Sequence, residues 1–130
     1  MDKQQLCATA QAMRDTAYAP YSKFTVGAAL LCESGKVYTG CNIENAAFSP
    51  TVCAERVALF KAVSEGERRF TALAVAGGKE APVDITPCGV CRQTLAEFGN
   101  AQMPIYLVCA NGDIKTVTLG ELLPMGFVLE

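Results

Sequence analysis

The sequence predicts an α/β protein, a three-layer α/β/α sandwich around a mixed sheet of about five strands. Three observations carry this. In mid-chain, short apolar runs bounded by turn residues alternate with segments of helical period, the pattern of strand–helix–strand crossovers. The run at 70–76 (Phe-Thr-Ala-Leu-Ala-Val-Ala) is nearly continuous in apolar side chains, as a strand covered on both faces must be. A length of 130 residues, 51 % hydrophobic and 18 % charged, suits one domain over residues 1–130 rather than two, and excludes disorder.

Leu6, Ala10, Met13 and Ala17 recur at helical spacing behind Asp2, a natural cap, so a first helix is expected to run until Pro20 stops it. Residues 24–31 read as a strand, Glu33-Ser34-Gly35 as a turn, and residues 36–43 as the returning strand of a hairpin. Ser49-Pro50-Thr51 has the chemistry of a helix start, because proline's fixed φ and missing N–H suit a first turn. That helix is expected over 52–65, with Gly66 ending it. Ala54, Val57, Ala58, Leu59, Phe60, Ala62 and Val63 leave it a thin polar side, which predicts burial. After the strand at 70–76, residues 79–86 form a loop, Thr86-Pro87 repeats the start signal, and a helix spans 88–98 before Gly99. Residues 104–109 and 114–118 are strands joined through Asn111-Gly112-Asp113, and residues 119–123 form a last short helix.

Composition narrows the chemistry. No histidine occurs, which removes Ser-His-Asp and Cys-His nucleophiles, His-ligated zinc and imidazole as a general base. Thirteen acidic against eleven basic side chains, a net charge of −2, argue against a nucleic-acid partner. No apolar run approaches the roughly 20 residues of a membrane span. The amino terminus carries Asp2 and no apolar signal core, so a cytoplasmic protein with reduced thiols is expected. There, seven cysteines, an odd number, point to metal binding or catalysis rather than disulfides. So apolar a short chain also suggests contacts between subunits.

Two stretches stand out: Cys53-Ala54-Glu55-Arg56, and Pro87-Cys88-Gly89-Val90-Cys91-Arg92. Both sit at expected helix N-termini, where unpaired N–H groups and the positive end of the dipole favour thiolates. Cys88 and Cys91, three apart, share one helix face. Three thiolates with one open position is the arrangement of a catalytic zinc; a structural site closes with a fourth protein ligand. Three thiolates around a divalent ion leave a net negative charge, and Arg56, on the face of Cys53, is placed to neutralise it. Glu55 points roughly 200° from Cys53 in a regular helix, so it reaches the pocket only if Cys53 lies in the very first turn. Cys7, Cys32, Cys41 and Cys109 read as small buried hydrophobes.

A Cys-x-Glu followed by Pro-Cys-x-x-Cys resembles the zinc nucleoside deaminases. With Asn42-Ile43-Glu44-Asn45-Ala46, Cys53-Ala54-Glu55-Arg56 and Pro87-Cys88-Gly89-Val90-Cys91-Arg92-Gln93, the chain is similar to the cytidine deaminases, in their short homotetrameric branch. The likeness runs from Tyr18-Ala19-Pro20-Tyr21-Ser22 to Leu122-Leu123-Pro124. It implies one zinc per subunit on Cys53, Cys88 and Cys91, an activated water in the fourth position, and Glu55 carrying that water's proton to N3 and the departing amine of cytidine or 2′-deoxycytidine. It further implies that Asn42 and Glu44 hold the ribose, that Phe24 packs on the nucleoside and that the Ala54 backbone contacts the base. Ala47, Phe48 and Phe127 would reach the pocket from neighbouring subunits of a homotetramer. Phe48 stands where the family usually has tyrosine, so a hydroxyl that could bond ribose is missing.

Within this class the rivals are deaminases of polynucleotide cytosine, guanine or an aminopyrimidine antibiotic. Acidity and the lack of aromatic–basic interleaving oppose the first, and Asn42-Ile43-Glu44 favours a free nucleoside. Outside it, Cys88-x-x-Cys91 alone could be a redox pair, or the metal could merely join two helices; neither accounts for Cys53 together with Glu55.

Overall fold

The computed structural model describes residues 1–129 and places four helices and five strands in the expected order. Helix α1 (Lys3–Met13) opens on a reciprocal capping box: Asp2 accepts from the Gln5 N–H at 2.8 Å, and the Gln5 side chain accepts from the Asp2 N–H at 2.9 Å. The helix ends earlier than its apolar spacing suggests. Residues Arg14–Thr16 tighten into a 3₁₀ turn and Ala17 is already extended, because the next residue is drawn into pairing: the Tyr18 N–H donates to the Asn42 carbonyl at 3.0 Å.

Strands β1 (Thr25–Cys32) and β2 (Val37–Cys41) form the expected hairpin, and β3 (Phe70–Gly78), β4 (Pro104–Val108) and β5 (Ile114–Thr118) complete a sheet of order β2-β1-β3-β4-β5. β3 and β4 are parallel and every other pair is antiparallel. β2 and β3 both run against β1, so helix α2 (Ala54–Ser64) crosses over β1, and helix α3 (Gly89–Ala96) makes the second crossover, between β3 and β4. Helix α4 (Leu119–Leu122) follows β5 behind a Thr118–Glu121 capping box.

The nearly continuous apolar run of β3 resolves into two faces. Leu73 and Val75 face a core shared with Leu59 of α2 and Leu95 of α3. Ala72, Ala74 and Ala76 face α1 through Leu6, Cys7 and Ala10. The sheet is thus covered on both sides, with bulk on one face and alanine on the other. The deep burial expected of α2 holds for Ala54, Ala58, Leu59 and Ala62, whereas Phe60 is half exposed. Cys7 and Cys32 are buried; Cys41 and Cys109 are only partly so, Cys41 closing the edge strand β2 and Cys109 lying in the turn after β4, whereas Cys32 closes the interior strand β1.

Two glycines set how closely the helices approach. A Cβ on Gly27 would lie 2.0 Å from the Ala10 carbonyl oxygen of α1, and one on Gly40 would lie 2.2 Å from the Ala54 oxygen and 2.7 Å from the Ala58 nitrogen of α2. The first turn of α2 therefore rests directly on β2. Gly40→Ala forces α2 away from the sheet and is expected to cost about 2 kcal/mol or more, as overpacking does; urea denaturation of the zinc-loaded protein measures it.

Candidate metal centre and active site

Both crossover helices begin on a cysteine. Cys53 and Cys88 occupy the N-cap positions of α2 and α3 in extended conformations (φ −79°, ψ 155° and φ −64°, ψ 164°), and neither makes a side-chain capping bond. This corrects the starts expected at Ser49–Thr51 and Thr86–Pro87. The threonine hydroxyls are engaged elsewhere: Thr51 Oγ1 accepts from the Asn45 N–H at 3.0 Å, and Thr86 Oγ1 from Arg92 Nη2 at 2.8 Å. The open N–H groups of each first turn thus lie beside sulfur, where they stabilise its anion.

The chain brings Cys53, Cys88 and Cys91 together. The Cys53 and Cys88 sulfurs are 3.7 Å apart, those of Cys88 and Cys91 3.5 Å, and all three lie within 4.8 Å of one another. Tetrahedral zinc with sulfur at 2.3 Å requires sulfurs about 3.8 Å apart, so the donor set fits that ion by spacing as well as by chemistry. Arg56 Nη2 donates to Cys53 Sγ at 3.5 Å. The Cys53 thiol is held below the ordinary range, first because Cys91 donates to its sulfur and then because Arg56 does. Cys91 is pushed the other way, since its own proton stabilises Cys53 and it is itself buried. Such a site favours one thiolate from the outset, and a divalent cation then displaces the remaining protons.

Glu55, second residue of α2, turns into the same place. The side chain is 4 % exposed and its Oε1 has no hydrogen-bond partner. Burial pushes its carboxyl up to about 7, and the charge on Cys53 adds to that. A buried carboxyl next to three thiols, with one oxygen left unpartnered, points to chemistry rather than to structure, and a pKa near neutrality suits a group that both takes and gives a proton.

Cys53, Glu55 and Cys88 line a cavity of about 240 Å³ whose other walls include Phe24, Asn42 and Glu44. Asn42 is held at both ends of its amide: Oδ1 accepts from the Val26 N–H and Nδ2 donates to the Phe24 carbonyl, each at 2.8 Å. Glu44 Oε1 accepts from the Tyr21 and Ser22 N–H groups at 3.0 and 3.1 Å, and the Ser22 hydroxyl donates to Oε2. That hydroxyl, more than the two N–H groups, holds its carboxyl below the usual range. Ala54 is buried in the first turn of α2, behind the cavity wall.

Ala47, Phe48 and Phe127 are not brought to this cavity within one chain. Phe48 sits in a turn at φ 64° and is 82 % exposed. Phe127 is 67 % exposed, its backbone gripped by Gln93, which donates to its carbonyl at 2.7 Å and accepts from its N–H at 3.1 Å. Val26, Thr51, Val52, Ile85 and Thr86 also line the cavity; Thr51 and Thr86 read in the sequence only as helix-start signals, and the other three carry no signal for the site. Arg92 was legible only as a motif letter; it donates to the Pro87 carbonyl at 2.6 Å and the Leu122 carbonyl at 2.9 Å, tying the Cys88 turn to α4.

Three convergent thiols at two helix starts, with a buried carboxyl beside them, define a zinc-dependent hydrolytic enzyme on an α/β/α scaffold. The sequence pattern of the cytidine and deoxycytidylate deaminase zinc-binding region matches residues 1–107. The chain is 56 % identical over 130 residues to a cytidine deaminase of Sporosarcina psychrophila, covering all of this chain and 94 % of that one. It is 51 % identical over 130 residues to one from Halalkalibacterium halodurans, covering 97 % of that protein. The crystal structure of cytidine deaminase from Burkholderia pseudomallei superposes with a TM-score of 0.89 at 45 % identity, covering 98 % of this chain and 100 % of that one. The chain therefore belongs to the cytidine and deoxycytidylate deaminase family.

Cys88→Ala leaves two thiols, too few to hold zinc. Zinc content is expected to fall from about one per chain to near zero, with a lower melting temperature; atomic absorption and a thermal scan measure both.

Proposed function

We propose that the protein hydrolyses cytidine and 2′-deoxycytidine to uridine and 2′-deoxyuridine with release of ammonia, as an enzyme of pyrimidine salvage. The observation that carries this reading is the buried carboxyl of Glu55, its Oε1 unpartnered, lining a nucleoside-sized cavity beside the three-thiol cluster. Cys53, Cys88 and Cys91 would hold one zinc ion per subunit, which supplies Lewis acidity that brings a bound water's pKa toward neutrality. Glu55 takes a proton from the attacking water and delivers it to ring N3, then takes the second proton from the new C4 hydroxyl and passes it to the amine, so that the C4–N bond breaks with a C4 carbonyl and ammonia as products. Arg56 offsets the surplus negative charge of the thiolates through Cys53.

The sugar is held by groups whose remaining valences point to that role. Asn42 has one N–H and one lone pair left after its bonds to Phe24 and Val26, and Glu44, kept ionised by Ser22, accepts from a hydroxyl. Phe24 supplies an apolar face and the Ala54 backbone contacts the base. Exposed Phe48 and Phe127, with Ala47, would complete the cavity of a neighbouring subunit in a homotetramer; Met125, Val128 and Leu129 add to the exposed apolar surface. Seven unpaired cysteines suit the reducing cytoplasm. No helix among the described residues is long and apolar enough to cross a membrane.

Ultraviolet absorbance of cytidine with the purified protein tests the activity: the cytosine band should convert to that of uracil, stop when zinc is stripped, and resume when it is returned. Glu55→Gln should keep zinc and lower kcat roughly 10²–10⁴-fold, the usual span for a lost proton carrier. Full activity in that variant would sink the mechanism. Because Phe48 offers ribose no hydroxyl, kcat/KM for the two nucleosides should agree within about threefold; a strong preference for cytidine contradicts it.

A further inference from the structure

Arg14 is the one strongly buried cation not used above: it is 6 % exposed. The single ion pair among the described residues, Arg69 with Glu33, lies elsewhere on the surface. Burying a charge without a counter-charge is expensive unless hydrogen bonds compensate it, and here each guanidinium nitrogen has a partner, mostly a carbonyl at or near a strand end. Nε donates to the Thr25 carbonyl at 3.1 Å and Nη1 to Gln11 Oε1 at 3.3 Å. Nη2 donates to the carbonyls of Gly78 at 2.9 Å and Glu80 at 2.6 Å.

These partners share one location. Thr25 begins β1 immediately after Phe24 and pairs with Gly78 at the end of β3. Glu80 starts the segment that returns along the sheet edge, where the Val83 N–H donates to the Gly77 carbonyl at 2.8 Å, and then supplies Ile85 and Thr86 to the cavity wall. A Cβ on Gly77 would meet Ile85 Cδ1 at 2.8 Å and Phe24 Cε1 at 3.1 Å, so the two walls converge on that glycine.

We propose that Arg14 is a positioning residue for substrate: its fork ties the start of β1 to the end of β3 and to residue 80, and so fixes the distance between the Phe24 and Ile85–Thr86 walls of the nucleoside cavity. It touches neither the cavity nor the α2 and α3 starts that carry the thiols and Glu55. Loosening it should therefore weaken binding of ground state and transition state alike and leave the chemical step intact. Lysine cannot replace it, because a single ammonium on a flexible stem does not span three carbonyls on separate segments.

The inference rests on the cytidine deaminase reading, and its test separates the two. Arg14→Lys and Arg14→Met are assayed with cytidine as zinc-loaded enzymes, well below each variant's own melting temperature. KM is expected to rise about tenfold with kcat within about threefold, and trypsin to cut faster after exposed Lys79. Failure of the unmodified protein to turn over cytidine would sink the deaminase reading. Turnover with KM unchanged in a folded, zinc-loaded Arg14→Lys, even with a lowered melting temperature, would overturn the role of Arg14 alone. Failure of both variants to fold would overturn it too, making the residue a determinant of the fold rather than of the cavity.

Discussion

The parallel pairing of β3 with β4 is the constraint on which the rest of the molecule depends. Parallel neighbours cannot be joined by a tight turn, so the chain must leave the carboxyl end of β3, cross the sheet and return. The β2-to-β3 connection meets the same requirement, since both strands run against β1. Two crossover helices result, on one face of the sheet, both starting beyond the carboxyl ends of β2 and β3. Two positive dipole ends are thereby aimed at one spot, and the three thiols occupy it. The site follows from topology before any side chain is chosen, as ligand sites do at the carboxyl edge of open α/β sheets.

Local chemistry then refines what topology brings together. Gly40 lets the first turn of α2 sit against β2, which sets the height of Cys53 and turns Glu55 inward. A residue 200° round a helix from its neighbour can share a pocket with it only when one of the two is a cap. Cys53 at the N-cap is therefore part of the placement of Glu55, as well as a member of the three-thiol cluster. Arg92 performs the corresponding service for Cys88 by tying the turn before α3 to α4.

Much of this was legible in the sequence. Element order could be read because period 2 and period 3.6 are distinct and because Gly66, Gly99 and Asn111-Gly112 punctuate the chain. The three-cysteine cluster could be read because an absence of histidine leaves thiols and carboxylates to do the work. Helix starts were placed too early because Ser, Thr and Pro are the recognised start signals, whereas here the hydroxyls of Thr51 and Thr86 serve neighbouring segments and cysteine takes the cap. The end of α1 was placed too late because apolar spacing continues to Ala17 while tertiary pairing of Tyr18 with residues 42–44 overrides it. Ile85 and Val26 are cavity walls only through long-range assembly, so no local pattern announces them. The role of Arg14 is not legible because its long-range partners are mainly backbone carbonyls, which every residue has and no sequence letter marks.

Asn42 has a wider consequence. Its amide accepts from one residue of the β1 side and donates to another, as a backbone peptide would, so the sheet's ladder continues through a side chain for one step past the end of β2. A binding wall made from loops opens by local fluctuation, independently of the core. A wall stitched into the ladder shares the cooperativity of the sheet: its amides exchange with solvent only when the strands themselves part. That end of the cavity is therefore preorganised by its bonds to the sheet, and the entropy of ordering it is spent during folding rather than at each encounter with a ligand.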